Sequence, residues 1–328
     1  MSKYLNYIGT YATTQDYNSD TKKDYPNISF VQGTDEVKWT SRNSTSVMLT
    51  FEAVSAGTLT ITASDASVAK TISYSTDNGA TWTSLTTSTT AQQLGGTLGV
   101  GDKILVKGTN TAYGTSSNYN SFGGTANIRV YGNIMSLIGG DNFENLTTLS
   151  TSHTFYRLFN YATNLVDAKN LILPATTLSN SCYENMFIGC TSLTTAPTTL
   201  PATTLTESCY YSMFYGCTGL TTAPALPATT LASYCYTHMF NGCSSLTTAP
   251  VLPATTLASY CYNGIFKNCS SLNYIKAMFT TQPDNTNLTN WVENVAASGT
   301  FVKNANATWN VTGNNGVPSG WTIETASE

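Results

Sequence analysis

The chain has 328 residues, a formal net charge of −4, and 10% charged against 41% hydrophobic residues. Only three arginines occur, Arg42, Arg129 and Arg157, so the chain lacks the basic face that a nucleic-acid partner requires. No stretch reaches the 18 apolar residues of a helical membrane span, and the length, with its abundant Thr, Tyr and Gly, predicts an extended, mainly β protein of more than one structural unit.

Residues 1–44 begin MSKYLNYIGTYATTQDY. This start has neither the apolar h-region nor the cleavage site of a secretory signal. That predicts a protein made and assembled in the cytoplasm; the alternative is a sequence from which an export signal has been removed. The segment YPNISFVQGTDEVKW alternates apolar and polar residues on both sides of Gly33-Thr34-Asp35, which predicts a hairpin. The whole segment has too little apolar content for a core of its own, and reads as an anchoring arm that orders on a partner. It resembles the leading sequences of structural proteins from crAss-like phages that infect gut Bacteroidetes. The resemblance implies other virion proteins as the partners of residues 1–44.

Residues 45–134 contain short alternating or β-branched runs, VMLTFEAV, TLTITAS, KTISYS, TWTSL, KILVKGT and ANIRVYG, separated by Gly- and Asn-rich turns. They predict an antiparallel β-sandwich of the immunoglobulin or fibronectin kind. Within it, Ser75-Thr76-Asp77-Asn78-Gly79-Ala80-Thr81-Trp82 matches the Asp-box pattern S-x-D-x-G-x-T-W. A sialidase-like glycosidase is one reading. The other is a hairpin device in which Asp77 caps the turn, Gly79 takes an unusual φ and Trp82 packs back. One copy and three scattered arginines favour the hairpin.

GNIMSLIGGDNFENLTTL, residues 132–149, is expected to cap the start of a block that repeats itself. A worn copy, HTFYRLFNYATNL, precedes three full copies such as LPATTLTESCYYSMFYGCTGLTTAP and a last one, LPATTLASYCYNGIFKNCSSL. Phe187, Phe214, Phe240 and Phe266 mark steps of 27, 26 and 26 residues. A unit of this length cannot bury its own apolar face, so stacked copies must bury it for one another in a solenoid spanning 135–278. Leu193, Leu220, Leu246 and Leu272 form one predicted column, and Leu178, Leu205, Leu231 and Leu257 another. Proline cannot donate to a ladder. The pairs Pro197/Pro201, Pro224/Pro227 and Pro250/Pro253 therefore predict corners, with short strands at SLTTA and a helical or 3₁₀ piece from Cys209 to Phe214 and its equivalents.

All eight cysteines fall here, as Cys182/Cys190, Cys209/Cys217, Cys235/Cys243 and Cys261/Cys269. Disulfides would suit an exported protein. Zinc does not fit, since there is no C-x2-C spacing. The worn copy has Thr154 and Ala162 at the paired positions, which favours free thiols packed as small buried side chains. The CTSL, CTGL and CSSL segments place a cysteine three residues before a strand leucine. In this the block resembles the leucine-rich repeats of bacterial surface antigens of the BspA type. That resemblance implies a solenoid fold and a binding role.

Residues 279–328 are expected to form a C-terminal cap. NLTNWVENV reads as a short amphipathic helix with Asn287 or Thr289 as its cap. GTFVKN and WTIET read as strands, and Trp291, Trp309 and Trp321 would shut the last coil. The pattern SGTF…TGNNGVPSGWT resembles the closing segment of BspA-like proteins.

No catalytic motif stands out. His153 lies in the worn copy, and His238 occupies a position held elsewhere by Asn185, Ser212 and Gly264. The chain is therefore expected to be non-enzymatic, with no cofactor or metal. Positions that change between copies read as free of stacking constraint and solvent-facing. Tyr211, Tyr215, Tyr234, His238, Asn241, Tyr260 and Lys267 make the candidate recognition surface, of a kind suited to glycan or protein contact. The expected protein is a phage virion component, a head or tail fibre or surface decoration. It would be part of a large assembly or a homo-oligomer, with its solenoid facing a bacterial surface protein or glycan. The alternatives are a bacterial cell-surface adhesin without its export signal and, more remotely, a glycosidase.

Overall fold

The computed structural model describes the backbone of residues 28–32 and 37–41, and residues 45–281, 283–284 and 286–326 in full. The rest of the expected arm, including Gly33-Thr34-Asp35, lies outside the described residues. Within the described residues the chain is mainly β with a single four-residue α-helix. No helix there is long and apolar enough to cross a membrane. Strands β1 (Ile28–Gln32) and β2 (Val37–Ser41) pair antiparallel, from Ile28 opposite Ser41 to Gln32 opposite Val37.

Alternation of apolar and polar residues sets the next eight strands. These are β3 (Leu49–Ala53), β4 (Gly57–Ala63), β5 (Thr71–Ser75), β6 (Thr83–Thr86), β7 (Gln92–Leu98), β8 (Lys103–Lys107), β9 (Asn120–Gly124) and β10 (Ile128–Asn133). In KILVK of β8, Ile104 and Val106 are buried while their neighbours are half-buried. The strands form two antiparallel sheets, β6-β5-β8-β3-β10 and β7-β4-β9. Apolar side chains fill the space between them, with the rings of Phe51 and Phe122 4.6 Å apart.

The larger sheet continues into the repeats. Strands β11 (Leu165–Asp167) and β12 (Leu171–Ile172) join β10 in parallel. Phe122 N–H donates to Leu158 O at 2.8 Å, so β9 meets the worn copy as well. The apolar core runs without a break from Leu49 to Trp321. The sandwich thus closes the N-terminal end of the stack directly. Segment 132–149 assists, with helix α1 (Ser136–Gly139) and the buried Met135, Leu137, Phe143 and Leu149.

Copy lies on copy in parallel. The strands expected at SLTTA shrink to single bridges, Asp167 with Thr195, Thr195 with Thr222, and Thr248 with Tyr274. The prolines within a few residues of these bridges cannot extend a ladder. After the last cysteine-bearing copy the row widens into β13 (Tyr274–Ala277), β14 (Thr300–Lys303) and β15 (Thr322–Thr325), all parallel. Trp291, Trp309 and Trp321 are buried at this end, and their indole N–H groups donate to the carbonyls of Gly316, Phe279 and Ala296.

Candidate recognition face

The segment expected to be helical, Cys209 to Phe214 and its equivalents, is a ribbon of overlapping turns. Glu184 N–H bonds Ser181 O, Met186 bonds Tyr183, Ile188 bonds Asn185 and Cys190 bonds Phe187. Every second N–H is thus used locally, across three residues. The N–H groups between them cross to the next copy: Ser181 to Glu207, Tyr183 to Cys209, Asn185 to Tyr211, Phe187 to Met213 and Gly189 to Tyr215, at 2.7–3.0 Å. The pattern recurs at each junction from His153 to Glu293. It also claims NLTNWVENV, where Trp291 N–H bonds Leu288 O and Glu293 bonds Asn290, so the expected amphipathic helix is another coil of ribbon.

Every other turn has a positive φ at its second central residue, as type II turns require. In one full copy these residues are Ser181, Asn185 and Gly189, at φ 54°, 56° and 69°. In the next they are Ser208, Ser212 and Gly216, then Tyr234, His238 and Gly242, then Tyr260, Gly264 and Asn268. Two of the variable positions in each copy, those of Tyr234 and His238, are therefore backbone-constrained. They hold Ser, Asn and Gly, which tolerate this conformation, and rings only at chosen places. Nor do the variable positions all face solvent, since Asn185, Ser212, Gly264 and Asn241 are buried.

Four columns stack beneath the ribbon. The Phe rings repeat at 5.1–5.8 Å from Phe159 to Phe266, with planes within 9°. A second ring column, Tyr183, Tyr210, Tyr236 and Tyr262, stacks at 5.6–6.0 Å. This column was not among those expected, although tyrosine succeeds the first cysteine in every full copy. The cysteines form the other two columns, and all eight are free and buried. Thiols of the second set donate to the Phe carbonyl of the preceding copy: Cys190 to Phe159, Cys217 to Phe187, Cys243 to Phe214 and Cys269 to Phe240, at 3.0–3.2 Å. Burial pushes the thiols of Cys182, Cys190, Cys261 and Cys269 up to about 12, and raises those of Cys209, Cys217, Cys235 and Cys243 as well.

The candidate residues meet on the ribbon of adjacent copies. His238 takes Tyr211 and Tyr215 edge to face, at 6.2 and 6.5 Å and nearly perpendicular. Tyr234 lies flat on Tyr260 at 4.8 Å. Asn241 Nδ2 stands 3.3 Å from His238 Nδ1. Tyr215 and Tyr234 are 40% and 36% exposed. Burial lowers the pKa of His238, with Lys267 acting in the same direction, and burial raises that of Tyr211, aided by Glu184 and Tyr234. Lys267 is a brace between coils, paired with Glu293 at 2.6 Å. One further exposed ring lies in the worn copy, outside the copies whose variation marked the candidates. It is Tyr161, 62% exposed and placed over Gly189, where a Cβ would sit 2.3 Å from it.

Elsewhere, Asp77 spends its carboxylate inside its own turn. It accepts from Thr81 N–H, Thr81 Oγ1 and Ser75 Oγ at 2.5–2.9 Å, with Thr81 the chief cause of a pKa lowered to about 2. Gly79 has φ 91°, and Lys107 Nζ lies 4.0 Å over the ring of Trp82. No group of three or more His, Cys, Asp or Glu placed to hold a metal occurs among the described residues. No protein family, curated protein or solved structure matches the chain.

Proposed function

We propose that the stacked copies are a leucine-rich repeat solenoid of the BspA-like type, and that the chain is a non-enzymatic phage virion protein. On this reading residues 1–44 anchor it to other virion proteins, and the solenoid is held toward a bacterial surface protein or glycan. The observation that carries the reading is the coil-to-coil ladder. In the ribbon alone, up to five N–H groups per junction lock each copy to the next, giving a rigid support whose tyrosines and histidine emerge on one face. Both histidines occupy left-handed turn positions, at φ 59° and 55°, and pack against tyrosine rings. This supports a structural and recognition role over acid–base work. Eight free thiols in a closed core suit folding in a reducing compartment, which favours assembly in a host cytoplasm over export as a bacterial adhesin.

Immunogold electron microscopy with an antibody to the repeat block tests the proposal. Gold on purified virions is the expected result. Gold confined to the bacterial envelope, with none on particles, would replace the virion reading with the adhesin.

A further inference from the structure

Copy-to-copy variation around His238 is matched between neighbouring coils. Its imidazole lies directly over Gly264 of the next copy, where a Cβ would meet Nδ1 at 2.2 Å and Cε1 at 2.5 Å. The same column holds Asn185 and Ser212 in the other full copies, so the backbone conformation does not demand glycine. The ring above it does.

A relay of side-chain amides then reaches the ring. Asn294 Nδ2 donates to Asn268 Oδ1 at 2.8 Å, and Asn268 Nδ2 to Asn241 Oδ1 at 3.3 Å. The amide of Asn241 stands 3.3 Å from His238 Nδ1. Around the imidazole stand the rings of Tyr211 and Tyr215.

We propose that His238, Tyr211 and Tyr215, held by Gly264 and the Asn241–Asn268–Asn294 relay, form a binding site for a neutral oligosaccharide. Flat aromatic rings supply apolar surface for the C–H face of a sugar ring. The phenols and the imidazole supply donors and acceptors for its hydroxyls. The nearby cation, Lys267, is spent on Glu293, which disfavours an anionic ligand. This deepens the display reading above and rests on it.

Saturation-transfer NMR and calorimetry of the whole chain with cellotetraose, chitotetraose and mannotetraose test the site, with sialylated and sulfated glycans and short peptides as comparison probes. Transfer to at least one neutral tetrasaccharide is expected. Gly264→Asn keeps a residue suited to the left-handed backbone but displaces the imidazole, and Tyr215→Ala removes an exposed ring without touching the core. Each should weaken binding about tenfold or more. Ile323→Ala, at an exposed position of β15 in the tail, should leave it unchanged. Preference for acidic glycans or peptides, undiminished binding by Gly264→Asn, or no binding to any probe would overturn the site. None of these results would alter where gold labels the particle, so the two readings fail separately.

Discussion

Four phenol hydroxyls, on Tyr183, Tyr210, Tyr236 and Tyr262, are buried and have no hydrogen-bond partner among the described residues. Burying a hydroxyl unpaired costs about 1–3 kcal/mol. What these positions use is the ring, which continues a stack that begins at Phe155, 5.6 Å from Tyr183. The worn copy therefore already carries the substitution that the column tolerates. Tyr210→Phe is expected to leave stability unchanged or to raise it by about 1 kcal/mol, read as a higher denaturant midpoint with unchanged slope. A loss of stability would mean that the hydroxyl has a partner, and the ring-only account of the column would be wrong. The second cysteine of each pair differs, because its S–H meets a carbonyl of the preceding copy. Ala162 in the worn copy shows that packing there survives without that bond.

At the scale of the element, the turn ribbon explains both what is readable in the sequence and what is not. Phe187, Phe214, Phe240 and Phe266 give the period, the columns and the direction of stacking, and the rings do stack. The ribbon looks helical in sequence because Cys182, Tyr183, Met186, Phe187 and Cys190 are spaced like one face of a helix. Two successive two-residue turns also advance four residues, so the apolar period alone cannot separate the two. The distinguishing signal is the residue between apolar pairs, Ser181, Asn185 and Gly189, then Ser208, Ser212 and Gly216: types that accept positive φ and are poor inside helices. The tail hides its coil for a related reason. It lacks the LPATTL segment and the cysteines, and Trp291 stands where Met or Ile would be with Val292 in the Phe position, yet its carbonyls accept from the last cysteine-bearing copy in the same ladder. The candidate face is half legible, since residue types mark the rings but not the matching of His238 with Gly264. Far-UV circular dichroism should show almost no helix, while hydrogen exchange should find ribbon amides such as Tyr183, Phe187, Phe214 and Phe240 strongly protected. A helical spectrum, or fast exchange at those amides, would remove the ribbon.

Across the whole molecule, sandwich, copies and tail share one core, and that core holds an unusual density of ionisable groups kept neutral. Eight thiols are buried, and burial raises the pKa of every one, four of them to about 12. The phenols of Tyr113, Tyr183, Tyr210, Tyr236 and Tyr262 are likewise raised by burial. An unfolded chain would release thiol protons near pH 8.5 and phenol protons near pH 10. Between about pH 9 and 12 the folded state therefore binds more protons than the unfolded one, and stability must fall as pH rises. Each such group contributes about 1.4 kcal/mol per pH unit once ionised in the unfolded chain, so eight thiols together give a slope on the order of 10 kcal/mol per pH unit. Few domains carry more than about 15 kcal/mol in total, which places cooperative alkaline unfolding between about pH 9.5 and 11. Denaturant midpoints measured from about pH 7 to 11 should be level up to about pH 8.5 and then drop steeply, with all eight thiols becoming reactive to alkylation in the same narrow interval. Replacing Cys190, Cys217, Cys243 and Cys269 by alanine, the residue the worn copy already uses, should roughly halve the thiol part of that slope. A midpoint that stays level to about pH 11 would show that the thiols are not sealed in a common core, and with it the continuity from sandwich to tail would fail.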